Sequence, residues 1–102
     1  MDLNIAGYKL DVTEDGYLTD HSQWNKEIAQ EIAKQEDIEL TDKHWEVISW
    51  LQEQVKNDVA LSVRGIKKSG VINIKEFYAL FPGGPLKVST KIAGVPKPKS
   101  CI

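Results

Sequence analysis

The positions of its prolines limit what this chain can fold into. The 102-residue chain has four prolines, and the first 81 residues contain none. Pro82 and Pro85 enclose two glycines, a combination that ends a helix because proline lacks the amide donor and glycine has no preferred backbone conformation. Pro96 and Pro98 are spaced so that their segment resists both helix and sheet. The end of the chain is therefore expected to be an extended arm, partly in the polyproline conformation.

Length and composition indicate one domain that carries this arm. A chain with 41% hydrophobic and 27% charged residues, 102 in all, can bury one modest core. We expect a single domain at residues 1–93 and a mobile C-terminal arm at residues 94–102. No apolar run approaches the ~18 residues of a membrane helix, and the N-terminus does not resemble a secretory signal. One cysteine cannot form an internal disulfide, so a reducing cytoplasm is the expected location.

The first eighteen residues predict a small β-meander. Gly7 can supply the positive φ of a hairpin turn, and Gly16 marks a second turn. Tyr17-Leu18 can then form a third strand. The weakly alternating apolar residues of the first two strands are Leu3, Ile5, Tyr8, Leu10 and Val12.

Two longer helices should follow the meander. Asp20 or Ser22 can cap the first, which would include Trp24 on its apolar face and end near Gln35. Thr41 is the expected N-cap of the second and strongest helix, with a histidine at the third helical position instead of the glutamate of a capping box. Its apolar stripe contains Trp45, Ile48, Leu51 and Val55.

Three shorter helices complete the prediction. Residues 59–69, with Val59 facing inward, should end at Gly70. Asn73 should cap a fourth helix in which Tyr78 is one of the apolar contacts, and residues 86–93 can form a fifth. The fold class is therefore α+β: an N-terminal three-stranded β-meander packed on about five helices, followed by the arm.

The third and fourth helices together have the outline of a helix-turn-helix. The favoured interpretation is the ordinary packing of two short helices. The only basic residues of this segment are Arg64, Lys67, Lys68 and Lys75. These are few for a protein that binds DNA by itself, and the acidic body is unlike a general nucleic-acid binder.

Most chemistry-bearing residues have a structural explanation. His21 and His44 are the only histidines, and no spacing typical of a metal site or of a phosphate-binding loop occurs, so no metal or cofactor is expected. His44 is interpreted as a packed or capping residue, and the three tryptophans as core residues. A self-sufficient active site is not predicted, so any sulfurtransferase-type activity would be that of a carrier.

The arm differs from the body in charge. All 15 acidic residues lie at or before Glu76, whereas residues 86–102 contain four lysines and no acid. These lysines either keep the arm solvated or steer it to an acidic or thiolate-bearing partner site. Two of them, Lys97 and Lys99, stand near Cys101, the penultimate residue and the only sulfur nucleophile.

Transfer of a sulfur atom between proteins requires such a protruding cysteine. The reactive species is the thiolate, which nearby lysines favour and the terminal carboxylate opposes. Prolines in the arm reduce the entropy that is lost when it docks. An incidental terminal thiol is the alternative for Cys101.

Several segments resemble the DsrC/TusE sulfur-relay family. The most specific are residues 80–85, residues 90–98 and the final Cys101-Ile102. Weaker support comes from Asp15-Gly16-Tyr17-Leu18 and from residues 40–48, so the resemblance spans nearly the whole chain. It implies the same α+β fold with a C-terminal arm, and a Cys101 that carries sulfur as a persulfide.

The number of cysteines distinguishes the branches of that family. Members that serve dissimilatory sulfite reductase carry a second arm cysteine eleven residues before the penultimate one, where this chain has Thr90. The one-cysteine pattern resembles the TusE branch. The resemblance implies transfer from a TusBCD-like donor complex to an MnmA-like thiouridylase, which makes 2-thiouridine in tRNA. The alternative is an accessory, regulatory or gamma-subunit-like protein of sulfite reductase, non-transferring or associated with DNA.

The remaining candidate residues would serve the arm and its docking. Arg64 stands where the family commonly has a Pro-x-Ile-Arg segment, and it either anchors the arm or a partner or forms an ordinary ion pair. The other arm and docking candidates are Lys91, Gly94, Pro96, Lys97, Pro98 and Lys99.

Overall fold

A two-stranded hairpin and five α-helices make up the computed structural model, which describes residues 2–96. A short 3₁₀ helix, His21–Gln23, lies between the hairpin and the first α-helix. The strands and helices are β1 (Asp2–Ile5), β2 (Tyr8–Asp11), α1 (Lys26–Gln35), α2 (Asp42–Lys56), α3 (Val63–Ser69), α4 (Ile74–Leu80) and α5 (Pro85–Ala93).

The hairpin forms as predicted. β1 and β2 are antiparallel, with Ile5 opposite Tyr8 across a two-residue turn. Ala6 and Gly7 both have positive φ, 53° and 84°, as a type I′ hairpin turn requires. The α+β class is therefore confirmed.

The predicted third strand is wrong. Leu18 forms only an isolated antiparallel bridge with Val12, so the sheet of the described residues has two strands. The physical reason is length: a turn closes with a bond from the Gly16 amide to the Thr13 carbonyl, and Asp20 already caps the 3₁₀ helix. Too few residues remain between these two features for a ladder.

The first long helix begins later than predicted. Asp20 accepts a hydrogen bond from the Ser22 amide and so caps the 3₁₀ helix. Asn25 caps α1, because its side-chain oxygen accepts from the Ile28 amide at 2.9 Å. Trp24 therefore lies between the two helices and is not part of an α-helical stripe.

His44 takes the place of the glutamate in a capping box. The Thr41 amide donates to His44 Nδ1 at 3.0 Å, which leaves Nε2 to donate to the Leu80 carbonyl at 2.9 Å. The His44 side chain is buried against Phe81, with 5.0 Å between ring centres. The interpretation of His44 as a packed capping residue is confirmed.

The third helix is shorter than predicted, and two residues expected in the core are exposed. α3 begins at Val63 because Ser62 caps it, accepting from the Gly65 amide at 3.0 Å. Val59 lies before this cap and is 48% exposed, while Tyr78 on α4 is 45% exposed. The predicted end of α3 at Gly70 and the predicted N-cap of α4 at Asn73 are confirmed.

The core is built around α5. This helix packs against α1, α2 and α4, and seven of its nine residues are buried. The hydroxyls of Ser89 and Thr90 are satisfied by the Leu86 carbonyl in the preceding turn. The central helix therefore leads directly into the segment predicted as the arm. No helix within residues 2–96 is long and apolar enough to cross a membrane.

Candidate functional site at the base of the C-terminal arm

Three successive carbonyls at the end of α5 each accept a hydrogen bond from a side chain of another element. Trp24 Nε1 donates to the Ile92 carbonyl at 2.8 Å, and Gln52 Nε2 donates to the Ala93 carbonyl at 2.9 Å. Because a carbonyl can only accept, His21 Nδ1 donates to the third carbonyl, that of Gly94, at 3.1 Å.

We call this arrangement the carbonyl clamp, with Trp24, Gln52 and His21 as its donors. The last carbonyls of a helix have no partner within the helix, so the clamp satisfies groups that would otherwise need water. The donors come from the 3₁₀ helix, the residue after it, and α2. The end of α5, where the predicted arm would begin, is thus fixed from several sides.

The backbone conformation of Gly94 ends α5 next to the clamp. Gly94 has φ 69° and forms a Schellman motif, in which its own amide bonds the Lys91 carbonyl and the Val95 amide bonds the Thr90 carbonyl, both at 3.2 Å. A Cβ at position 94 would overlap Trp24 Cδ1 and lie 2.8 Å from Trp24 Cγ. Only glycine satisfies both the conformation and the space.

The first two residues of the segment predicted as the arm are packed against the body. Gly94 is buried, Val95 is 1% exposed, and Pro96 is exposed. Burial therefore ends between Val95 and Pro96 within the described residues. The predicted arm residues Lys97, Pro98, Lys99 and Cys101 lie outside the described residues.

The Lys91 side chain contacts the end of α1 and the turn at Gly16. Its Nζ lies 3.5 Å from Glu36 Oε1 at the end of α1, and both side chains are partly buried. Its Cε also covers Gly16, where an added Cβ would approach it to 2.9 Å. This ion pair joins α5 to the end of α1.

A groove lies beside the clamp. It has a volume of about 630 Å³ and includes two of the clamp donors, His21 and Gln52. Its lining residues are His21, Gln52, Glu53, Val55, Lys56, Asn57 and Val95. Val95, the last buried residue that the structure describes, is therefore part of this groove.

One carboxyl group next to the clamp, that of Asp20, has a shifted pKa. Hydrogen bonds from the Ser22 hydroxyl and the Ser22 amide hold the pKa of Asp20 below its ordinary value. Asp20 caps the 3₁₀ helix that begins with His21, so its ionised form supports the position of a clamp donor.

Arg64 is not part of this site. It is exposed on α3 and lines a separate groove with Val63, Lys67, Lys68 and Ile74. Among residues 2–96 no hydrogen bond or ion pair joins it to the base of the arm. Sequence analysis included Gly94 and Lys91 but missed Gln52 and His21, because nothing in their local sequence indicates a contact with α5.

Comparison with known proteins identifies the class to which this fold and site belong. The family described as DsrC like protein matches residues 4–102, and the chain therefore belongs to the DsrC-like family. The chain is 42% identical to the sulfurtransferase TusE of Photorhabdus laumondii, with 98% of this chain and 97% of that protein covered. The resemblance inferred from residues 80–102 is thus confirmed.

Two solved structures share the fold along their full lengths. The DsrC of Allochromatium vinosum is 34% identical with a TM-score of 0.82, and 100% of each chain is covered. The oxidized gamma-subunit of the dissimilatory sulfite reductase (DsrC) from Archaeoglobus fulgidus is 38% identical with a TM-score of 0.79, again with 100% of each chain covered.

Proposed function

We propose that this protein is a sulfur-relay carrier that accepts a sulfur atom as a persulfide on Cys101 and passes it to a partner protein. The observation that carries the proposal is the position of the only cysteine, five residues beyond Pro96, which is exposed and follows the anchored end of α5. Membership of the DsrC-like family and the full-length similarity to a protein named sulfurtransferase TusE support it.

Each transfer exchanges one sulfur–sulfur bond for another. The Cys101 thiolate attacks the outer sulfur of a persulfide on the donor, the bond between the two donor sulfurs breaks, and the donor cysteine leaves as a thiolate. Cys101 then carries the outer sulfur as its own persulfide. An acceptor thiolate repeats the exchange and regenerates the Cys101 thiolate, so no external oxidant or reductant is needed.

The carbonyl clamp would give the arm a fixed starting point. Five residues in an extended polyproline conformation span about 15 Å, which allows a terminal thiol to enter a pocket of another protein. A fixed base and two prolines, Pro96 and Pro98, reduce the entropy lost on docking. Lys97 and Lys99 would favour the thiolate of Cys101 and attract an acidic or thiolate-bearing pocket.

The partners that fit best are a TusBCD-like donor complex and an MnmA-like acceptor that thiolates tRNA, in a reducing cytoplasm. Thr90 favours this assignment over the two-cysteine mechanism, because it stands where the second cysteine would be. Its side chain is buried, and its hydroxyl donates to the Leu86 carbonyl at 2.7 Å. Cys101 therefore has no thiol at position 90 with which to form a disulfide.

A second candidate is a gamma-subunit-like role with sulfite reductase. The similarity in fold to the Archaeoglobus fulgidus gamma-subunit is the observation that favours it. In that role the protein would bind sulfite reductase without accepting sulfur from a cysteine desulfurase.

Intact-mass measurement tests the proposal. The protein is incubated with cysteine, a cysteine desulfurase and a TusBCD-like complex, and we expect a mass increase of one sulfur atom that a reductant removes. Cys101→Ser should abolish the increase, whereas Ser100→Ala, its matched neighbour, should retain it. Absence of the increase with a donor that loads a known TusE would contradict the carrier function and favour the second candidate.

A further inference from the structure

One face of α3 carries three positive charges without a described counter-ion. Lys67 and Lys68 follow Arg64 by three and four positions, a spacing that places both on the same side of the helix as Arg64. All three are exposed, and within residues 2–96 none forms an ion pair with an acid. Like charges at this spacing weaken a helix, so the cluster opposes the folding of the segment that carries it.

These cations border a groove with an apolar floor. The groove between α3 and α4 has a volume of about 450 Å³, and Val63 and Ile74 supply its aliphatic surface. On α4, Lys75 and the 45% exposed Tyr78 follow Ile74 by one and four positions. Arginine and tyrosine are enriched at protein interfaces, so Arg64 and Tyr78 beside a partly apolar surface favour a protein partner.

We propose that the α3–α4 groove docks an acidic, partly apolar surface of the protein that exchanges sulfur with Cys101; this inference rests on the proposed carrier function. The planar guanidinium of Arg64 can bind a carboxylate through two hydrogen bonds, while Lys67 and Lys68 contribute point charges. Aliphatic side chains of the partner would cover Val63 and Ile74.

A protein surface fits this groove better than a nucleic acid. The body through residue 85 carries 15 acidic and nine basic side chains, so its overall field repels a continuous polyanion. A local acidic patch on a protein experiences mainly the nearby cations, because salt screens charges beyond about 10 Å. The aliphatic floor also has no counterpart on a phosphate backbone.

Docking here would complement the arm. Arg64 belongs to α3, whereas the clamp involves α5, α2 and the 3₁₀ helix. A partner held at α3–α4 would therefore leave the clamp contacts intact. Attachment at two points raises the effective concentration of the thiol at the partner's pocket.

The test measures how a charge-reversal variant accepts sulfur from a protein donor and from an inorganic donor. In Lys67→Glu/Lys68→Glu the exposed cations are reversed, and Lys26→Glu/Lys34→Glu makes the same charge change at exposed positions on α1. Persulfide formation on Cys101 is timed with the charged donor complex and with inorganic polysulfide, and delivery to the acceptor is timed separately. We expect one of the two protein-dependent rates to fall about tenfold or more in the first variant alone. The polysulfide-dependent rate should not change.

Several results would overturn the inference. Unchanged rates of both protein-dependent steps at low salt would do so, as would a loss of tRNA binding without any effect on protein exchange. If wild type accepts no sulfur from any donor, the carrier function fails. In that case, the affinity of wild type and of each variant for the donor and acceptor proteins is measured directly. If the charge-reversal variant binds both proteins as tightly as wild type does, the proposed docking surface is rejected. Lys67→Gln/Lys68→Gln replaces the first variant if charge reversal unfolds α3.

Discussion

The indole Nε1 of Trp24 lies 2.8 Å from the carbonyl oxygen of Ile92, 68 residues further along the chain. This hydrogen bond joins the segment before α1 to the last turn of the central helix. The same indole ring also occupies the space where a side chain at position 94 would lie. Trp24 is thus the residue on which the geometry of the arm base most depends.

Removal of the indole donor should destabilise the protein. In Trp24→Phe the Ile92 carbonyl loses its partner at a partly buried site, which should cost about 1–3 kcal/mol of unfolding free energy. For a domain of this size, each kcal/mol lowers the melting temperature by about 4–8 °C. Trp50→Phe is the control, because the half-buried Trp50 indole donates to no described residue. Equal melting temperatures for the two variants would contradict the role of the clamp.

Two glycines with the same backbone conformation provide a matched comparison. Gly94 and Gly70 have φ of 69° and 74°, but an added Cβ meets the Trp24 ring at position 94 and nothing within 4 Å at position 70. Gly70→Ala should therefore lower the free energy of unfolding only by the cost of placing alanine in the left-handed conformation, about 1–2 kcal/mol. Gly94→Ala should cost about 1–3 kcal/mol more, from overpacking. Urea unfolding measures both, and similar costs would show that the ring can move aside freely.

The two roles of His44 can be separated by substitution. His44→Gln can still accept from the Thr41 amide, as glutamine does in a capping box, but should lose the bond to the Leu80 carbonyl. We expect this variant to cost about 1–3 kcal/mol. His44→Ala should cost about 1 kcal/mol more, the value of a helix cap. If the two variants unfold at the same urea concentration, the cap contributes no stability.

The stability should depend on pH through Asp20. Because Ser22 holds the pKa of Asp20 below its ordinary value in the folded state, the ionised carboxylate stabilises the fold above the unfolded-state pKa. This contribution is lost as the pH falls through the folded-state pKa. Asp20→Asn should therefore lower the urea midpoint more at about pH 7 than at about pH 2.5. Ser22→Ala removes the 2.7 Å bond from the hydroxyl and should reduce that difference. A pH-independent difference between wild type and Asp20→Asn would contradict this account.

Local signals in the sequence predicted much of the fold. Gly7, Thr41, Gly70 and Asn73 each act within four residues of their position, so the turn and the helix ends could be predicted. Val59 was predicted to be buried, because helical periodicity alone does not show that Ser62 offers a better start to α3.

The clamp could not be predicted in the same way. Gln52 lies 41 residues from the carbonyl that it contacts, and His21 lies 73 residues from its own. These contacts exist only because α5 packs against α2 and the 3₁₀ helix, which is a property of the tertiary structure. The sequence could identify Gly94, whose residue type indicates its role, but not the side chains that hold the end of α5.

The most direct test follows one sulfur atom through Cys101. The protein is loaded with radioactive sulfur, freed of donor, and mixed with an MnmA-like acceptor and unmodified tRNA in a single turnover. We predict that the label leaves the protein and is recovered as 2-thiouridine, and that Cys101→Ser neither loads nor delivers it. Label that stays on the protein, or thiolation that proceeds equally with Cys101→Ser, would contradict the carrier function.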